Sequence, residues 1–255
     1  MRLFKTTALA LALAFVLQGT ALAAESLFSE TSFAKGLYYT DTKIKGYSKG
    51  AFVVLEGDDV NFRERAENGA VLKVLPRHSL LRAIKQQGDW LQAESDGTQG
   101  YVYAPFTGAG EHEPLTTEDF AAGYAALGEK FDAKQAEEKL GKLSKKSVDK
   151  KTKLTTYSYK NVDIGTVKDK ITLLRVCDTA YITMRGVSVG DNAARAVGQY
   201  GVPDAVVYGA GITGKTIYEY FLPTENKKQR LRFALDVDKD SRVQAIILEL
   251  QQVKK

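Results

Sequence analysis

One glycine-rich string has residue types and spacing that could bind a phosphate. Gly209 to Thr216 reads G-A-G-I-T-G-K-T and fits both G-x-x-x-x-G-K-[ST] and G-x-G-x-x-G. A phosphate loop needs a helix that begins at its lysine, because the free amides of a helix N-terminus hold the anion. Residues 216–221 instead alternate in the manner of a strand, and Pro223 follows them. We therefore predict a glycine-rich hairpin loop here, with no nucleotide or other cofactor bound.

Three aspartates have the spacing of the first ligands of a calcium loop: Asp236, Asp238 and Asp240. Such a loop has Gly at its sixth position and a bidentate Glu at its twelfth, where this chain has Ser241 and Ile247. A zinc site would need three or four converging ligands, and the chain has only two His and one Cys. We predict an acidic turn between strands and no metal site.

Nucleophilic catalysis is not predicted either. Cys177 ends an apolar, strand-like run, where a cysteine is typically a small packed residue. His78 falls in a turn and His112 in a linker, both expected to be solvent-exposed, and the chain has no Gly-x-Ser-x-Gly elbow. We expect a protein that is not an enzyme. The alternative is an envelope hydrolase whose catalytic carboxylates the sequence does not single out.

The first 23 residues have the features of a signal peptide. Arg2 and Lys5 precede an apolar run over residues 8–17, and Ala21 and Ala23 form an A-x-A cleavage site. The run is too short to span the hydrocarbon core of a bilayer, about 30 Å thick. We therefore expect an exported protein of the periplasm, the cell wall or the medium, with no integral membrane segment after cleavage. Residues 24–49 are interpreted as an N-terminal extension.

The charge of the chain is mildly basic. Removal of the leader lowers the formal net charge from +5 to +3, and much of the excess lies between Lys134 and Lys160. Such a lysine run is usually a solvated face, and the alternative is a patch that binds anionic cell-surface polymers. Nucleic-acid binding is not favoured, because the basic residues are not interleaved with aromatic ones.

Residues 51–106 contain several short β-strand patterns separated by turn residues. The predicted strands cover residues 51–55, 60–65, 70–75, 80–85, 90–94 and 100–103. Asn-Gly, Asp-Gly and Gly-Asp pairs separate them, and these pairs favour turns because they tolerate positive φ. Regularly spaced short strands of this kind predict an all-β barrel at residues 50–107, followed by a linker at residues 108–115.

Residues 116–255 contain an internal repeat. The sequence T-T-Y-S-Y at residues 155–159 recurs as T-I-Y-E-Y at residues 216–220, and a helical segment at residues 132–141 recurs at residues 191–201. Residues 142–154 are expected to be a loop, and Thr116 or Thr117 is expected to cap a further helix. The prediction is an α+β domain in which two repeated helix–strand units form one antiparallel sheet covered by helices.

Aromatic residues of the predicted barrel are the candidates for ligand binding. Trp90, Tyr101, Tyr103 and Phe62, with Phe106 beside them, could line a groove, since tyrosine and tryptophan offer a flat apolar face with a polar rim. The alternative is that Phe62 and Trp90 fill the core. Tyr101 and Tyr103 are expected to share one face of their strand.

The order of short motifs in this block resembles the bacterial SH3 (SH3b) family. The motifs are V-N-F-R at residues 60–63, D-W at residues 89–90, D-G at residues 96–97 and G-Y-V at residues 100–102. The resemblance implies an SH3-like barrel that binds the cell wall or a peptide, with Asn61 and Arg63 fixing the first hairpin. The closing aromatic residue, usually Trp in that family, is Tyr101 here.

The C-terminal repeat is similar to tandem α/β units of exported bacterial proteins with a β-lactamase-inhibitor-protein-like fold. The similarity lies in G-V-S-V-G-D at residues 186–191 and Y-G-V-P-D at residues 200–204. It implies protein binding or envelope assembly. The expected function is therefore that of a non-catalytic cell-envelope protein that binds peptidoglycan or a wall-associated peptide and has a further protein partner. A secreted protein inhibitor is the remaining alternative.

Overall fold

The computed structural model describes residues 43–44, 47–48, 51–110, 112–122, 124–210 and 215–253. Within these ranges the chain is built mostly from antiparallel β-sheet, as the turn-rich sequence predicts. The predicted signal peptide and most of the predicted extension lie outside the described residues. The end of that extension forms two short antiparallel strands, β1 (Lys43–Ile44) and β2 (Tyr47–Ser48).

Seven strands form the first large sheet. They are β3 (Phe52–Leu55), β4 (Val60–Arg63), β5 (Val71–Leu75), β6 (Leu80–Gln87), β7 (Trp90–Ser95), β8 (Thr98–Tyr103) and β9 (Thr107–Gly108). Their order in the sheet is β5-β4-β8-β7-β6-β3-β9, and neighbouring strands are antiparallel. A 3₁₀ turn at Ala104–Phe106 separates β8 from β9. All six strands predicted in this region are confirmed, each with bounds within two residues of those expected.

Turn chemistry and a compact core explain this sheet. Asp96 and Gly97, with φ of 48° and 77°, form the tight connection between β7 and β8. Gly100 lets β8 pass close to β4, because a Cβ there would lie 2.7 Å from the carbonyl oxygen of Arg63. The buried side chains inside the sheet are Val53, Leu55, Val60, Phe62, Leu75, Leu81, Ala83, Leu91, Ala93 and Val102.

Eight strands and two α-helices make up most of the remainder. The elements are α1 (Ala133–Leu140), β12 (Lys145–Val148), β13 (Thr155–Ser158), β14 (Val162–Val167), β15 (Lys170–Val176), α2 (Ala193–Tyr200), β16 (Ala205–Ala210), β17 (Lys215–Pro223), β18 (Gln229–Val237) and β19 (Val243–Gln252). The sheet order is β12-β13-β14-β15-β19-β18-β17-β16. Each helix is thus followed by a meander of four antiparallel strands, and the two meanders join where β15 pairs with β19.

Two expectations about this region are wrong. Residues 142–154 are not all loop, because they contain β12, a strand whose four residues are all exposed. The helix expected after Thr116 is a single 3₁₀ turn at Thr117–Phe120. Thr116 and Asp119 do form a capping box, but the backbone becomes extended at Ala121. The chain then forms the short strands β10 (Ala121–Ala122) and β11 (Ala125–Ala126).

The eight-stranded sheet buries residues on both of its faces. On the first face, Phe233, Leu235 and Leu248 belong to a large cluster that includes Val197 and Tyr200 of α2. Successive residues of a strand point to opposite faces, so the intervening residues define the second face. The apolar members of the second face are Leu173, Val207, Ile217, Ala234 and Ile247.

The two large sheets are in contact. Val54 of β3 belongs to the cluster on the first face of the eight-stranded sheet. Ser241, in the turn after β18, donates its hydroxyl hydrogen to Asp96 at 2.8 Å. The ring of His78 lies against α2, where a Cβ at Gly198 would meet its Nδ1 atom at 2.3 Å. His78 is therefore half-buried, whereas the sequence led us to expect an exposed residue.

Candidate functional site

A cleft of about 190 Å³ opens on the surface of the seven-stranded sheet. Its volume suits one side chain or a short peptide segment, because whole small-molecule sites are typically about 300 Å³ or more. A hollow beside α1 holds only about 20 Å³, which is room for roughly one water molecule. The cleft is lined by Asp58, Asp59, Val60, Asn61, Arg63, Trp90, Tyr103 and Phe106.

Three aromatic rings form one wall of the cleft. Trp90 on β7 and Tyr103 on β8 are directly opposite each other in the register, and their rings meet edge to face at 5.8 Å. Phe106, from the 3₁₀ turn, packs against Tyr103 in the same manner at 5.4 Å. Tyr103 and Phe106 are 37% and 46% exposed, so much of this aromatic surface is open to a ligand. Edge-to-face packing keeps the rings in place without burying their faces.

The lining of the cleft also contains two acidic residues. Asp58 and Asp59 lie in the turn between β3 and β4, and both are exposed. Asp59 has a φ of 49°, a left-handed conformation that aspartate tolerates better than most residues. The guanidinium group of Arg63 points to the base of the next hairpin, where it donates to the carbonyl oxygen of Gly69 at 3.0 Å. The cleft therefore combines flat apolar surface with exposed carboxylate acceptors, a set suited to peptide binding.

The structure separates the four predicted ligand-binding residues into three groups. Trp90 and Tyr103 lie in the cleft. Phe62 is fully buried in the core of the seven-stranded sheet and cannot contact a ligand, which corrects its place among the candidates. Tyr101 lies two residues before Tyr103 on β8 and is half-buried beside Arg63, outside the cleft lining.

The acidic residues of the cleft were not among the predicted site residues. The only sequence signal for Asp58 and Asp59 was their position in the turn Gly57-Asp58-Asp59. A turn of this composition is common, and its place beside the aromatic rings depends on the long-range pairing of β4 with β8. Phe106 had been considered with the other aromatics, and the structure places it in the cleft.

The phosphate-loop string connects two antiparallel strands. Ala210 at the end of β16 pairs with Lys215 at the start of β17, and residues 211–214 between them lie outside the described residues. Lys215 begins a strand and not a helix, so the string lacks the helix N-terminus that a phosphate loop uses.

The calcium-like string forms a hydrogen-bonded turn. Its central carboxylate, Asp238, accepts hydrogen bonds from the backbone amides of Asp240 and Arg242 and from the side chain of Gln244. Within the described residues, no group of three or more His, Cys, Asp or Glu side chains could hold a metal ion.

Cys177 is a poor candidate for a catalytic nucleophile, and His112 lies on the surface. Burial raises the pKa of the Cys177 thiol above its ordinary value of 9.0, and the nearby charge of Arg175 only partly opposes this. The thiolate is the reactive form of cysteine, so this residue is a weak nucleophile at neutral pH. His112 is exposed and lies against Gly201, just after α2.

A buried charged cluster, which sequence reasoning missed, lies on the second face of the eight-stranded sheet. Arg232 is 1% exposed and contacts Glu219 at 2.6 Å and Glu249 at 3.1 Å. Burial raises the pKa of Glu249, while the positive charge of Arg232 opposes the rise. The three residues lie at neighbouring positions on β17, β18 and β19, a proximity that only the strand register creates.

Comparisons with known proteins assign no family. No protein-family model matches the chain, and no curated protein matches it. A solved structure of the C-terminal domain of TagH aligns with 80% of this chain and 98% of its own at 12% identity and a TM-score of 0.21. A score this low supports no conclusion about fold or function. Among the helices of the described ranges, none has the length and apolar character needed to cross a membrane.

Proposed function

We propose that this chain is an exported, non-catalytic bacterial cell-envelope protein that binds peptidoglycan or a wall-associated peptide. The observation that carries the proposal is the cleft, whose lining combines three packed aromatic rings with two exposed carboxylates. Trp90, Tyr103 and Phe106 supply apolar contact area, and Asp58 and Asp59 accept hydrogen bonds from ligand amides or amines.

The chemistry of the described residues favours binding over catalysis. The lining of the cleft contains neither a histidine nor a cysteine. Arg63 is engaged with Gly69, so it helps hold the cleft in shape. A surface of this kind recognises a ligand by fit and hydrogen bonding, which the aromatic rings and the exposed carboxylates of Asp58 and Asp59 provide.

We further propose an SH3-like barrel at residues 50–107 and a two-unit α+β domain at residues 116–255, joined by the linker at residues 108–115. The seven-stranded sheet has a buried core of its own, which supports a barrel. The order helix then four strands, occurring twice, supports a duplicated unit. The α+β part would provide the contact with an envelope protein.

Sedimentation with purified cell-wall sacculi tests the cleft. We expect the processed chain to sediment with sacculi at physiological salt, and Tyr103→Ser and Phe106→Ser each to weaken binding about tenfold, as loss of one central aromatic contact does. Leu72→Ser is the matched control, because Leu72 is a comparably exposed apolar residue on β5 outside the cleft lining. Equal weakening by all three variants would refute binding through the cleft. Release of soluble wall fragments by the protein would instead indicate a hydrolase.

A further inference from the structure

The positive charge of the processed chain is concentrated in one segment. Residues 134–160 contain nine lysines and three carboxylates, those of Glu137, Glu138 and Asp149, so the segment carries a formal net charge of +6. The processed chain carries +3 in total, so everything outside this segment carries −3. The molecule therefore has a strongly positive part on an otherwise mildly acidic body. Such an asymmetry directs anionic partners to the positive part.

The fold places most of these lysines on one edge of the eight-stranded sheet. Residues 142–160, here called the edge hairpin, include β12, the outermost strand, and its neighbour β13. At the base of the hairpin the amide of Ser144 donates to the carbonyl oxygen of Ser158 at 2.8 Å. The exposed lysines of the edge hairpin are Lys142, Lys145, Lys146, Lys150, Lys151, Lys153 and Lys160.

The lysine charges are not neutralised within the hairpin. With Lys151 set aside, none of its exposed lysines forms an ion pair with a carboxylate of the described residues. Asp149 is the only acidic residue of the hairpin. Its carboxylate accepts hydrogen bonds from the amide of Lys151 and the hydroxyl of Thr152, both at 2.8 Å. This carboxylate is therefore held within the turn, and a row of unpaired ammonium groups lies along the edge.

The arrangement of the charges suits a linear polymer. Lys145 and Lys146 are neighbours on β12, so their side chains leave opposite faces of the sheet. Further lysines follow at the tip of the hairpin, beyond a strand roughly 10 Å long. A compact anion can meet few of these groups, and a flat lipid surface meets one face at a time. A flexible chain of phosphates can follow the edge and contact lysines on both faces.

The hairpin offers no open aromatic ring on which a nucleic-acid base could stack. The ring of Tyr157 already contacts the ring of Phe131, with centroids 4.3 Å apart, and Lys146 lies over it with Nζ 4.9 Å from the centroid. Tyr159, the other aromatic residue of the hairpin, belongs to the buried first-face cluster. Proteins that bind single-stranded nucleic acids combine positive charge with stacking on aromatic rings. The edge hairpin therefore favours a polyanion without bases.

We propose that the edge hairpin binds a linear polymer whose repeating units are joined by phosphodiester bonds. Its lysines replace the cations condensed on the polymer, and the release of these cations drives binding. The cell envelope as the source of the polymer rests on the proposed export of the chain. The binding itself does not depend on export or on the ligand of the cleft.

Titration calorimetry with long-chain inorganic polyphosphate, which stands in for the phosphate backbone of the polymer, tests the surface. We expect the processed chain to bind with a slope of log affinity against log salt of roughly −3, as for about four neutralised phosphates. Lys145→Gln combined with Lys146→Gln should weaken binding about tenfold, whereas Lys145→Arg combined with Lys146→Arg should bind as the parent does. The matched control is Lys227→Gln combined with Lys228→Gln, which removes the same charge from an exposed turn between β17 and β18.

A second pair of substitutions leaves the edge strand intact. Lys150→Gln combined with Lys153→Gln changes only the connection between β12 and β13, and it should also weaken binding about tenfold. Circular dichroism verifies that each variant is folded. The proposal is overturned if the parent does not bind polyphosphate at physiological salt, or if both hairpin pairs keep the parent's affinity. Equal weakening by the control pair would also overturn it, because total charge and not the hairpin would then attract the polymer.

The source and class of the ligand are tested with three further probes. Hydrofluoric acid removes phosphodiester-linked polymers from sacculi, so Lys145→Gln with Lys146→Gln should reduce sedimentation only with untreated sacculi. Tyr103→Ser, which tests the cleft, should reduce it with both preparations, so the two proposals fail separately. An equal loss in the lysine variant with both preparations would assign the lysines to peptidoglycan. Equal dependence of phosphatidylglycerol vesicle binding on these lysines would indicate a membrane surface, and tighter binding of a single-stranded oligonucleotide than of polyphosphate would indicate nucleic acid. Each of these three results would overturn the proposal.

Discussion

Replacing Arg185 should destabilise the protein more than any other single arginine-to-alanine change on the first-face side of the eight-stranded sheet. Its Nε and Nη2 atoms donate to the two carboxylate oxygens of Asp119, both at 2.8 Å. Its remaining hydrogens bond the carbonyl oxygens of Glu113, Pro114 and Gln199. One side chain thus fastens the segment before β10 to the end of α2.

The expected loss of stability follows from the burial of the ion pair between Arg185 and Asp119. The side chains of Arg185 and Asp119 are only 13% and 3% exposed, so Arg185→Ala leaves a buried carboxylate without its counter-charge. Removal of one partner of a buried pair costs about 3–5 kcal/mol. The backbone amide of Thr116 still donates to Asp119 at 2.9 Å, so we expect a loss of about 3 kcal/mol in the free energy of unfolding, at the lower end of that range.

Urea unfolding followed by circular dichroism measures this loss. Arg195→Ala is the matched control, because its pair with Asp191 is long, at 3.5 Å, and its side chain is 58% exposed, so its removal should cost below about 1 kcal/mol. In the double variant Arg185→Ala, Asp119→Ala the two losses should be strongly non-additive, with a coupling of about 1–3 kcal/mol. A loss for Arg185→Ala no greater than that of the control, or strict additivity, would refute this account.

Two further results are expected. Burial alone would raise the pKa of Asp119, but hydrogen bonds from Arg185 and Thr116 outweigh it and lower the pKa below 3.8. The stabilisation from the ionised Asp119 is therefore fully present above its pKa in the unfolded chain and is lost as the pH falls through its pKa in the folded protein. Between pH 6 and pH 3 the urea midpoint should therefore fall more in the parent than in Asp119→Asn. Equal pH dependence of the midpoint in the two proteins would contradict this. Arg232→Met should cost about 3–5 kcal/mol, because Glu219 and Glu249 stay buried without their counter-charge. Adding Glu219→Gln and Glu249→Gln should restore much of the lost stability in the same urea assay. If no stability is recovered, the loss comes mainly from the missing packing of Arg232 and not from the unpaired carboxylates.

Local sequence signals were sufficient to predict the elements whose ends are set by turn residues or by helix-capping residues. Asp132 and Asn192 accept hydrogen bonds from the first amides of α1 and α2, so both helices were predictable from residues near their ends. The missed strand β12 has no buried residue and therefore no hydrophobic alternation to detect. Its pairing with β13 alone places it in the sheet.

The candidate site was only partly predictable for a related reason. Trp90 and Tyr103 belong to one hairpin, so their proximity follows from a local turn. Whether Phe62 points into the core or to the surface depends on which face of β4 is covered, and its neighbour Asn61 is the exposed one. The contact between Arg185 and Asp119 joins residues 66 positions apart. Such long-range contacts leave no periodic signal in a single sequence.

One outer strand of the eight-stranded sheet, β12, shows what the lysine-rich segment does for the fold. β12 is one edge of that sheet, and Lys145, Lys146 and Val148 on it are all exposed. Lysine on an edge strand opposes the addition of another strand, because its charge would have to be buried between chains. The lysines therefore protect an edge that a purely apolar strand would leave open to aggregation.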